Sequence, residues 1–217
     1  ENLGSAGGWH CGIQHALDNR FDAVWLMDDD GFPDVDALGL LEAALLPDIA
    51  CAASVVVRED VQTHFVFPLP VLDVSGLPVI WSPIRKLFSM KELRAVAPSG
   101  TYPFAHFFNG SLVSMAAVRQ VGNVDCSFFM NGDELDYFYR LRYAGKVISV
   151  LDAIHYHPDQ SKRPYTAAKV YYFVRNTLVL NTRYFNLVWI RHILTIAVAI
   201  ARVASRNNFG AALSLLL

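Results

Sequence analysis

The sequence predicts an α/β protein in which helices cover a sheet, and three observations support this class. Residues 23–27 and 50–57 are short apolar runs with the length and composition of buried strands. Each follows a stretch with apolar residues at helical spacing, so helix, strand, helix and strand alternate along the chain. In addition, 53% of the 217 residues are hydrophobic, which allows a sizeable core and excludes a disordered chain.

Local signals define the elements of the first sixty residues. Residues 5–19 carry apolar side chains at helical spacing after a glycine turn and are predicted as a helix. Residues 23–27 are then predicted as a buried parallel strand, and residues 50–57 as the next buried strand. Because proline is favoured in the first turn of a helix, Pro33 is expected to begin a helix that runs to Leu46.

Prolines dominate the next part of the chain. Six of them lie between residues 58 and 105, so short strands and an irregular excursion are expected there. The remaining predicted elements are a strand over 111–115, a short helix to 121, a helix over 132–143 closed by Gly145, one or two strands over 147–157, and an aromatic-rich helix over 166–184.

The segment over 187–206 is strongly apolar, but its longest uncharged run is too short to span a bilayer. One interpretation is a helix lying in a membrane interface with its arginines towards lipid phosphates, and the apolar residues 211–217 favour it. The other is an ordinary helix packed on the domain, or the first of a helix pair. The polar stripe of this helix consists of Arg191, Thr195, Arg202 and Arg206.

Charge and cysteine content exclude some functions. Lys and Arg total 18 and Asp and Glu total 20, for a net charge of −2, so no basic excess exists to bind nucleic acid. The three cysteines are far apart, which excludes a disulfide scaffold and a CxxC metal site and fits a reducing compartment. The chain begins at Glu1 in what reads as the middle of a domain and stops in an apolar run, so we expect a fragment.

Three consecutive aspartates are the clearest candidate for chemistry. Asp28, Asp29 and Asp30 follow the strand predicted over 23–27, and ligands bind at the carboxyl ends of strands in open α/β sheets. In an extended chain, Asp28 and Asp30 point to the same side. A hard divalent cation, Mg²⁺ or Mn²⁺, would relieve their repulsion and bind a diphosphate. The alternative is an acidic turn that leads into a helix.

A second acidic cluster begins the helix predicted over 132–143 and contains Asp133, Glu134 and Asp136. One of these carboxylates could be the general base that takes a proton from an attacking hydroxyl. Alternatively, Asp133 is only a helix cap, and Asp136 is a solvent-facing partner of Arg140 four residues further on.

Two other motifs carry weaker signals. His155 and His157 lie on one face of an extended segment, so a histidine could complete the site at the three aspartates, although a strand histidine is more often structural. Arg175 and Asn176 lie in the aromatic-rich helix. They could reach a phosphate, although an arginine here is more often at the surface.

In their order along the chain, these motifs resemble a family 2 glycosyltransferase with the GT-A fold, and they are most similar to its galactofuranosyltransferase and rhamnosyltransferase branch. The resemblance covers about residues 1–180. It implies a mixed sheet flanked by helices whose first strands precede residue 1, and a C-terminal helical extension. The matching stretches are residues 2–8, residues 24–30 with Pro33, residues 108–110, residues 129–136 with Arg140, His157, and residues 171–176.

The resemblance also implies roles for individual residues. Asp28, Asp30 and His157 would hold Mn²⁺ or Mg²⁺ against the diphosphate of a sugar nucleotide. Glu134 falls at the position of the catalytic base, flanked by Asp133, and the choice between these two stays open. The expected donor-binding residues are Asn2, Gly7, Gly8, Asp28, Asp29, Asn109, Gly110 and Arg175.

We therefore predict a metal-dependent, inverting glycosyltransferase that moves galactofuranose or rhamnose from a nucleotide-diphosphate donor to a glycan or lipid-linked acceptor. Residues 1–160 would form a partial catalytic domain, and residues 161–217 a helical segment that contacts a membrane. The expected place is the cytoplasm, at the inner face of a bacterial plasma membrane. Two alternatives are a phosphohydrolase with Asp28 as nucleophile and a non-catalytic, membrane-associated glycan-binding or assembly subunit.

Overall fold

A computed structural model describes residues 2–159 and 166–206 and confirms the α/β class, with a mixed sheet flanked by helices. The strands are β1 (Ala23–Met27), β2 (Phe32–Pro33), β3 (Ile49–Arg58), β4 (His64–Pro70), β5 (Lys86–Ser89), β6 (Thr101–Tyr102), β7 (Asn109–Ser114) and β8 (Lys146–His157). The helices are α1 (Gly4–Asp18), α2 (Ala37–Ala44), α3 (Met90–Val96), α4 (Met115–Val121), α5 (Asp133–Leu141), α6 (Ala167–Tyr184) and α7 (Val188–Arg206), and a 3-10 turn covers Cys126–Phe128.

Strand β3 is the centre of the sheet, and every position in it except the last is buried. It pairs in parallel with β8 along one edge. On its other edge it pairs antiparallel with β7 and, at Val57, with β4. The strand predicted over 50–57 is therefore confirmed, with one more residue at each end. Its small apolar side chains contribute to the core on both faces of the sheet.

Two predictions for the first sixty residues are wrong in detail. Strand β1 has the predicted bounds, but it pairs antiparallel with β7, and only Leu26 in it is buried. Pro33 does not begin a helix, since it belongs to β2 and α2 begins at Ala37. The fixed φ of proline suits an edge strand as well as a first helical turn. The pairing of Pro33 with His155, which is far along the chain, places Pro33 in an edge strand and not in a first helical turn.

The excursion over 58–105 contains short strands, as expected, and also helix α3, which the sequence analysis missed. The Ser89 hydroxyl accepts a hydrogen bond from the Glu92 N–H at 3.3 Å, and the Glu92 carboxylate accepts one from the Ser89 N–H at 3.0 Å. This reciprocal arrangement is a capping box, and its Ser-x-x-Glu pattern is a local signal for the start of a helix.

Strand β8 pairs with both β3 and β2, and these two pairings position the residues predicted for the site. Its register with β3 shifts after Ser54, where residues 151–153 have no partner in β3. Beyond this irregularity β8 continues beside β3 and also gains β2 on its other edge, with Tyr156 opposite Phe32. The last residues of β8 therefore lie next to the turn that carries the three aspartates.

Helix α6 is fastened to α5 through the buried carboxylate of Asp136. This carboxylate accepts hydrogen bonds from Arg140 Nε at 2.8 Å, Arg183 Nη1 at 2.9 Å and Tyr184 Oη at 2.7 Å. The predicted pairing with Arg140 is present, but Asp136 does not face solvent, since its side chain is only 1% exposed. Leu180 of α6 also packs in the main core.

Two members of the polar stripe of α7, Arg191 and Thr195, contact the rest of the protein. Arg191 lies over the ring of Phe185 and donates to the Pro78 carbonyl at 3.4 Å. Thr195 is buried and accepts a hydrogen bond from Asn181 at 3.3 Å. The expectation that these polar residues face lipid phosphates is therefore wrong. The outward face is apolar instead, and its exposed side chains include Trp189, Ile190, Ile193 and Leu194.

Within residues 2–159 and 166–206, none of the helices has the length and apolar character needed to cross a membrane. Arg202 of the stripe lies over the Phe173 ring, 4.6 Å from its centre. The side chain of Arg206 and the apolar residues 211–217 lie outside the described residues, so the expectations for them stay predictions.

We expect Asp136→Ala to lower the free energy of unfolding by about 3 kcal/mol, because it leaves Arg140 and the Tyr184 hydroxyl without their carboxylate. Urea denaturation measures this loss. Asp152→Ala is the matched control, since both side chains of its ion pair with Arg94 are exposed to solvent. This ion pair should contribute less than about 1 kcal/mol to the free energy of unfolding. Equal losses in the two variants would contradict the role given to Asp136.

Candidate active site

Asp28, Asp30 and His157 lie together where β1 and β8 end, and we call them the triad. One potential ligand atom from each lies within 4.8 Å of the others, and His157 Nε2 is 3.1 Å from Asp30 Oδ1. The other ring nitrogen, Nδ1, is 2.7 Å from the carbonyl of Pro158, which can only accept a hydrogen bond. In the neutral ring Nδ1 therefore carries the hydrogen, and Nε2 presents its lone pair to the carboxylates.

The pairing of β2 with β8 brings the triad together. Phe32 lies opposite Tyr156, so Asp30, two residues before Phe32, falls beside the end of β8. Gly31 makes this approach possible. A Cβ at Gly31 would overlap His155 Nε2 and lie 3.0 Å from the Tyr156 carbonyl oxygen. Only glycine therefore fits between the triad and the paired residues of β2 and β8.

The surroundings of Asp28 disfavour its ionised form. Burial raises the pKa of Asp28, and the negative charges of Asp30 and Asp29 raise it further. Two opposing influences, the charge of His157 and a hydrogen bond from Asn109, lower that pKa. Two carboxylates and an imidazole nitrogen with its lone pair form a donor set suited to a divalent cation. The side chains therefore fit the Mn²⁺ or Mg²⁺ that the sequence predicts.

Asn109 and Gly110, expected at the donor, lie directly behind the triad. The Asn109 side chain hydrogen-bonds to the Asp28 carboxylate, and its Oδ1 has no partner among the described residues, so the amide nitrogen is the donor. Gly110 has a φ of 83°, and a Cβ there would lie 2.8 Å from Ser54 Oγ and 3.1 Å from His155 Nδ1. This tight packing fixes Asn109, which orients Asp28, while contact of either residue with a donor stays a prediction.

Asp133 and Glu134 lie in the first turn of α5, near enough to Asp28 for the charges to interact. Burial raises the pKa of Asp133 to about 6 and that of Glu134 well above its ordinary value, and the charge of Asp28 raises both. Such repulsion requires that the two acidic clusters lie near each other. Asp133 is held by the Ser5 hydroxyl at 3.4 Å, whereas the Glu134 carboxylate has no hydrogen-bond partner within residues 2–159 and 166–206.

The loop that leads into α5 is held by Asn176, which is buried in α6. The Asn176 side-chain amide donates to the carbonyls of Phe128, Met130 and Asn131 at 2.9, 2.8 and 2.6 Å. The loop needs this support because Asn131 and the following Gly132 have left-handed φ values of 60° and 97°. One side chain of the C-terminal helices thus sets the path of the chain just before Asp133.

Arg175 supports the same loop. Its Nη1 donates to the Ser127 carbonyl at 2.7 Å and to Asn176 Oδ1 at 2.7 Å. Among the described contacts of Arg175, none is with the triad, and its predicted role as a donor ligand stays a prediction.

The N-terminal loop lies beside a cavity of about 500 Å³ between α1 and β1, and Gly8 lines this cavity. Gly7 instead packs against Leu3. Asn2 accepts a hydrogen bond from the Gly4 N–H at 2.9 Å. The cavity reaches Asp28 and Asp29, and its lining consists of Ser5, Gly8, Trp9, Gly12 and residues 24–29.

The structure thus brings together most of the residues singled out from the sequence, and the sequence analysis missed the roles of Ser5, Gly31 and Asn176. The role of Gly31 could have been predicted, because this glycine is the one residue between the three aspartates and strand β2, which must pair with the sheet. Ser5 and Asn176 could not, because their partners are 128 and about 45 residues away in the chain and no local pattern indicates such contacts.

Comparison with known proteins gives two kinds of similarity, although no family model matches the chain. Galactofuranosyltransferase GlfT1 of Mycobacterium tuberculosis is 37% identical over 161 residues, which are 72% of this chain and 49% of that protein. GlfT1 of Mycolicibacterium smegmatis is 35% identical over 162 residues, 72% of this chain and 51% of that protein. The chain therefore spans about half the length of these curated relatives.

The second similarity is structural. A crystal structure of GalNAc-T7 with UDP, GalNAc and Mn²⁺ matches with a TM-score of 0.51 and 13% identity over 83% of this chain and 39% of that one. At this identity the match concerns the fold alone, and the fold is the GT-A fold of glycosyltransferases. Galactofuranosyltransferases named GlfT1 are among the homologues of this chain. The resemblance predicted from the motifs is confirmed.

We expect Gly31→Ala to weaken Mn²⁺ binding by about tenfold or more, because the methyl group would push His155 and β8 away from the aspartates. Titration calorimetry with Mn²⁺ measures the affinity. Gly39→Ala in α2 is the matched control, since a Cβ there meets no atom within 4 Å. Unchanged Mn²⁺ affinity in Gly31→Ala would contradict the assignment of the triad.

We expect Asn176→Ala to loosen the loop over 128–132 by about 1–3 kcal/mol, because three carbonyls lose the donor that Asn176 provides. Hydrogen exchange of the backbone amides at the start of α5 should become faster in this variant. Thr177→Ala, on the same helix, serves as the control and should leave that exchange unchanged. Equal exchange in the wild type and Asn176→Ala would show that the loop does not depend on α6.

Proposed function

We propose that the protein is a metal-dependent, inverting glycosyltransferase that transfers galactofuranose from a nucleotide-diphosphate donor to a glycan or lipid-linked acceptor. The observation that carries this proposal is that Ser5, whose hydroxyl hydrogen-bonds to Asp133 at the start of α5, lines the same cavity as Asp28 of the triad. Galactofuranose is the sugar in the name of the relatives, and rhamnose is the second sugar that the motifs implied.

The donor would bind at the triad. Asp28, Asp30 and His157 would hold Mn²⁺ or Mg²⁺, which neutralises negative charge on a diphosphate when it is bound. GalNAc-T7, which shares the fold, has Mn²⁺ and UDP in its crystal structure, and this supports the same use here. The cavity beside Gly8 and Asp29 is the nearest space for the rest of the donor.

Glu134 would act as the general base. Its carboxylate takes the proton of an acceptor hydroxyl while that oxygen forms a bond to the anomeric carbon of the donor sugar. The bond from this carbon to the diphosphate oxygen breaks, and its electron pair leaves with the nucleoside diphosphate. Attack opposite to the leaving group inverts the anomeric centre. Asp133, held by Ser5, raises the pKa of Glu134 by its charge and so makes it a stronger base.

We also propose that the protein associates with a membrane surface, at the inner face of a bacterial plasma membrane, as a lipid-linked acceptor would require. The outward face of α7 supports this, since Trp189 is 80% and Ile193 is 67% exposed there. An exposed apolar helix face is typical of helices that lie in a membrane interface.

We expect Glu134→Gln to lower kcat by about 10²–10⁴-fold, the usual contribution of a positioned general base, and to leave metal-dependent donor binding intact. Steady-state transfer and Mn²⁺-dependent binding of the sugar nucleotide measure the two effects. Unchanged turnover would remove Glu134 from the role and indicate Asp133. Phosphate release from a simple ester without sugar transfer would instead favour a phosphohydrolase, and sugar binding without nucleotide binding would favour a glycan-binding subunit.

The pH dependence gives an independent test. A base must be ionised, so kcat should fall as the pH drops below the pKa of Glu134, which burial raises and the charge of Asp133 raises further. Asp133→Asn removes that charge, so the pKa of Glu134 falls and the acid limb of the kcat profile should move to lower pH. A limb that moves to higher pH, or complete loss of turnover in Asp133→Asn, would contradict Glu134 as the base.

A further inference from the structure

Two cysteines that are far apart in the sequence lie close together in the fold. Cys11 is on α1, and Cys126 begins the 3-10 turn before α5. Both are free and exposed, whereas Cys51 in β3 is buried. Among the described residues, neither exposed cysteine belongs to the triad or to the lining of the cavity at Asp28. The proposed transfer reaction therefore gives them no role.

The segment over 123–129 is fastened to α1 at both of its ends. At one end, the Asn123 side-chain amide donates a hydrogen bond to the His10 carbonyl at 3.0 Å. At the other end, the Phe129 carbonyl accepts one from the Ala6 N–H at 3.1 Å. Between these ends, Cα atoms of the 3-10 turn come within 8 Å of Cα atoms of α1. The segment therefore runs along the helix in the opposite direction.

This packing brings the two thiols together. Cys126 lies midway along the segment, and Cys11 directly follows His10 on the helix. Burial raises the pKa of Cys126, and the charge of Cys11 raises it further, which requires that the two sulfur atoms lie near each other. The Cα atoms of a disulfide are about 4–7 Å apart. Because both side chains are exposed, they can reach this geometry without disturbing the core.

We propose that Cys11 and Cys126 form a modification site, at which a disulfide oxidant such as oxidised glutathione joins them in a reversible intramolecular disulfide. One reversible bond of this kind is compatible with a reducing compartment, where the disulfides that form are usually transient. The site goes beyond the proposed transfer reaction, because it needs neither the donor nor the metal.

The bond forms in two steps of thiol–disulfide exchange. The thiolate of Cys11 attacks one sulfur of oxidised glutathione, the bond between the two glutathione sulfurs breaks, and one glutathione leaves as a thiolate. The thiolate of Cys126 then attacks the Cys11 sulfur of this mixed disulfide, and the second glutathione leaves. The two cysteines together lose two electrons and two protons, and the oxidant takes up both and is released as two molecules of reduced glutathione.

The raised pKa of Cys126 sets the order of these steps. Because the thiolate is the nucleophile, a thiol with a raised pKa is a poor first attacker, and Cys11 therefore reacts first. In the mixed disulfide the Cys11 sulfur carries no charge, so one of the causes that raise the pKa of Cys126 is removed. The Cys126 thiol then ionises more readily and completes the bond.

The disulfide would fasten the loop that leads into α5. This loop already depends on α1, because the Ser5 hydroxyl donates to the Phe129 carbonyl at 3.3 Å and to Asp133 at 3.4 Å. Phe129 and Asn131 have left-handed φ values of 63° and 60°, which need support from their surroundings. A covalent bond at Cys126 adds to this support, so oxidation should make the start of α5 more rigid.

Oxidised glutathione, added to the dilute protein, tests the site. We expect the intact mass to fall by two hydrogen atoms per chain, and peptide mapping without reductant should find the peptides of Cys11 and Cys126 joined. Dithiothreitol should restore the starting mass. Cys51 is the internal control, since burial raises its pKa and should keep its thiol unmodified.

The variants Cys11→Ser and Cys126→Ser distinguish a bonded pair from two independent thiols. In each variant the remaining exposed cysteine has no partner, so we expect a stable glutathione adduct in place of the internal bond. Circular dichroism checks that both variants fold. The proposal is overturned if the wild type carries glutathione on both cysteines, if it joins two copies of the chain instead, or if it does not react.

Hydrogen exchange measures the effect of the disulfide on the loop. Backbone amides at the start of α5 should exchange about threefold or more slowly in the oxidised wild type than in the reduced protein. The glutathione adduct of Cys11→Ser is the control and should show no such protection. Equal exchange in the oxidised and reduced wild type would contradict the effect on the loop. Because transferase activity is not measured, failure here leaves the proposed function untouched.

Discussion

The candidate site depends on one short pairing, that of β2 with β8. Two residues, Phe32 and Pro33, hold the aspartate turn against a strand more than 120 residues later in the chain. A hydrogen bond from Tyr156 Oη to Asp34 Oδ2 at 3.1 Å adds a side-chain contact to this pairing. Because neighbouring residues of a strand face opposite sides, a slip of one position would turn His157 away from the aspartates. The tight fit at Gly31 prevents such a slip.

The carboxylates of the candidate site lower the stability of the fold, and other contacts must compensate. Burial and mutual repulsion raise the pKa values of Asp28, Asp133 and Glu134, so each ionised group disfavours the folded state until a cation or a proton arrives. Two residues after Glu134, the buried carboxylate of Asp136 has three donors and joins α5 to α6. The same helix therefore combines two acids whose ionised forms are disfavoured with one whose carboxylate is held by three donors, and the third acid fixes the position of the other two.

Features with local signals could be predicted from the sequence, and features set by distant partners could not. The apolar run of β3 and the acidic cluster that begins α5 are written in consecutive residues, and both were predicted with nearly correct bounds. The sequence analysis assigned the aspartates and His157 to one site from the order of the motifs along the chain, and not from the spacing between these residues. Pro33 was assigned to the wrong element because its partner, His155, is remote. The inward position of Arg191 and Thr195 on α7 was missed because periodicity shows which residues share a face, but not which face meets the protein.

The hydrogen bonds from Asn176 to the loop before α5 connect the C-terminal helices to the part of the chain that contains the sheet. These two parts differ in how tightly they are packed. Strand β3 is buried almost throughout, whereas α7 and the outer side of α6 meet in a small cluster of their own around Val170 and Val203. Helices of this kind open locally before a sheet does. On heating, the fraying of the C-terminal helices would release the three carbonyls and disorder the loop while the sheet is still intact. Thermal inactivation would then precede melting.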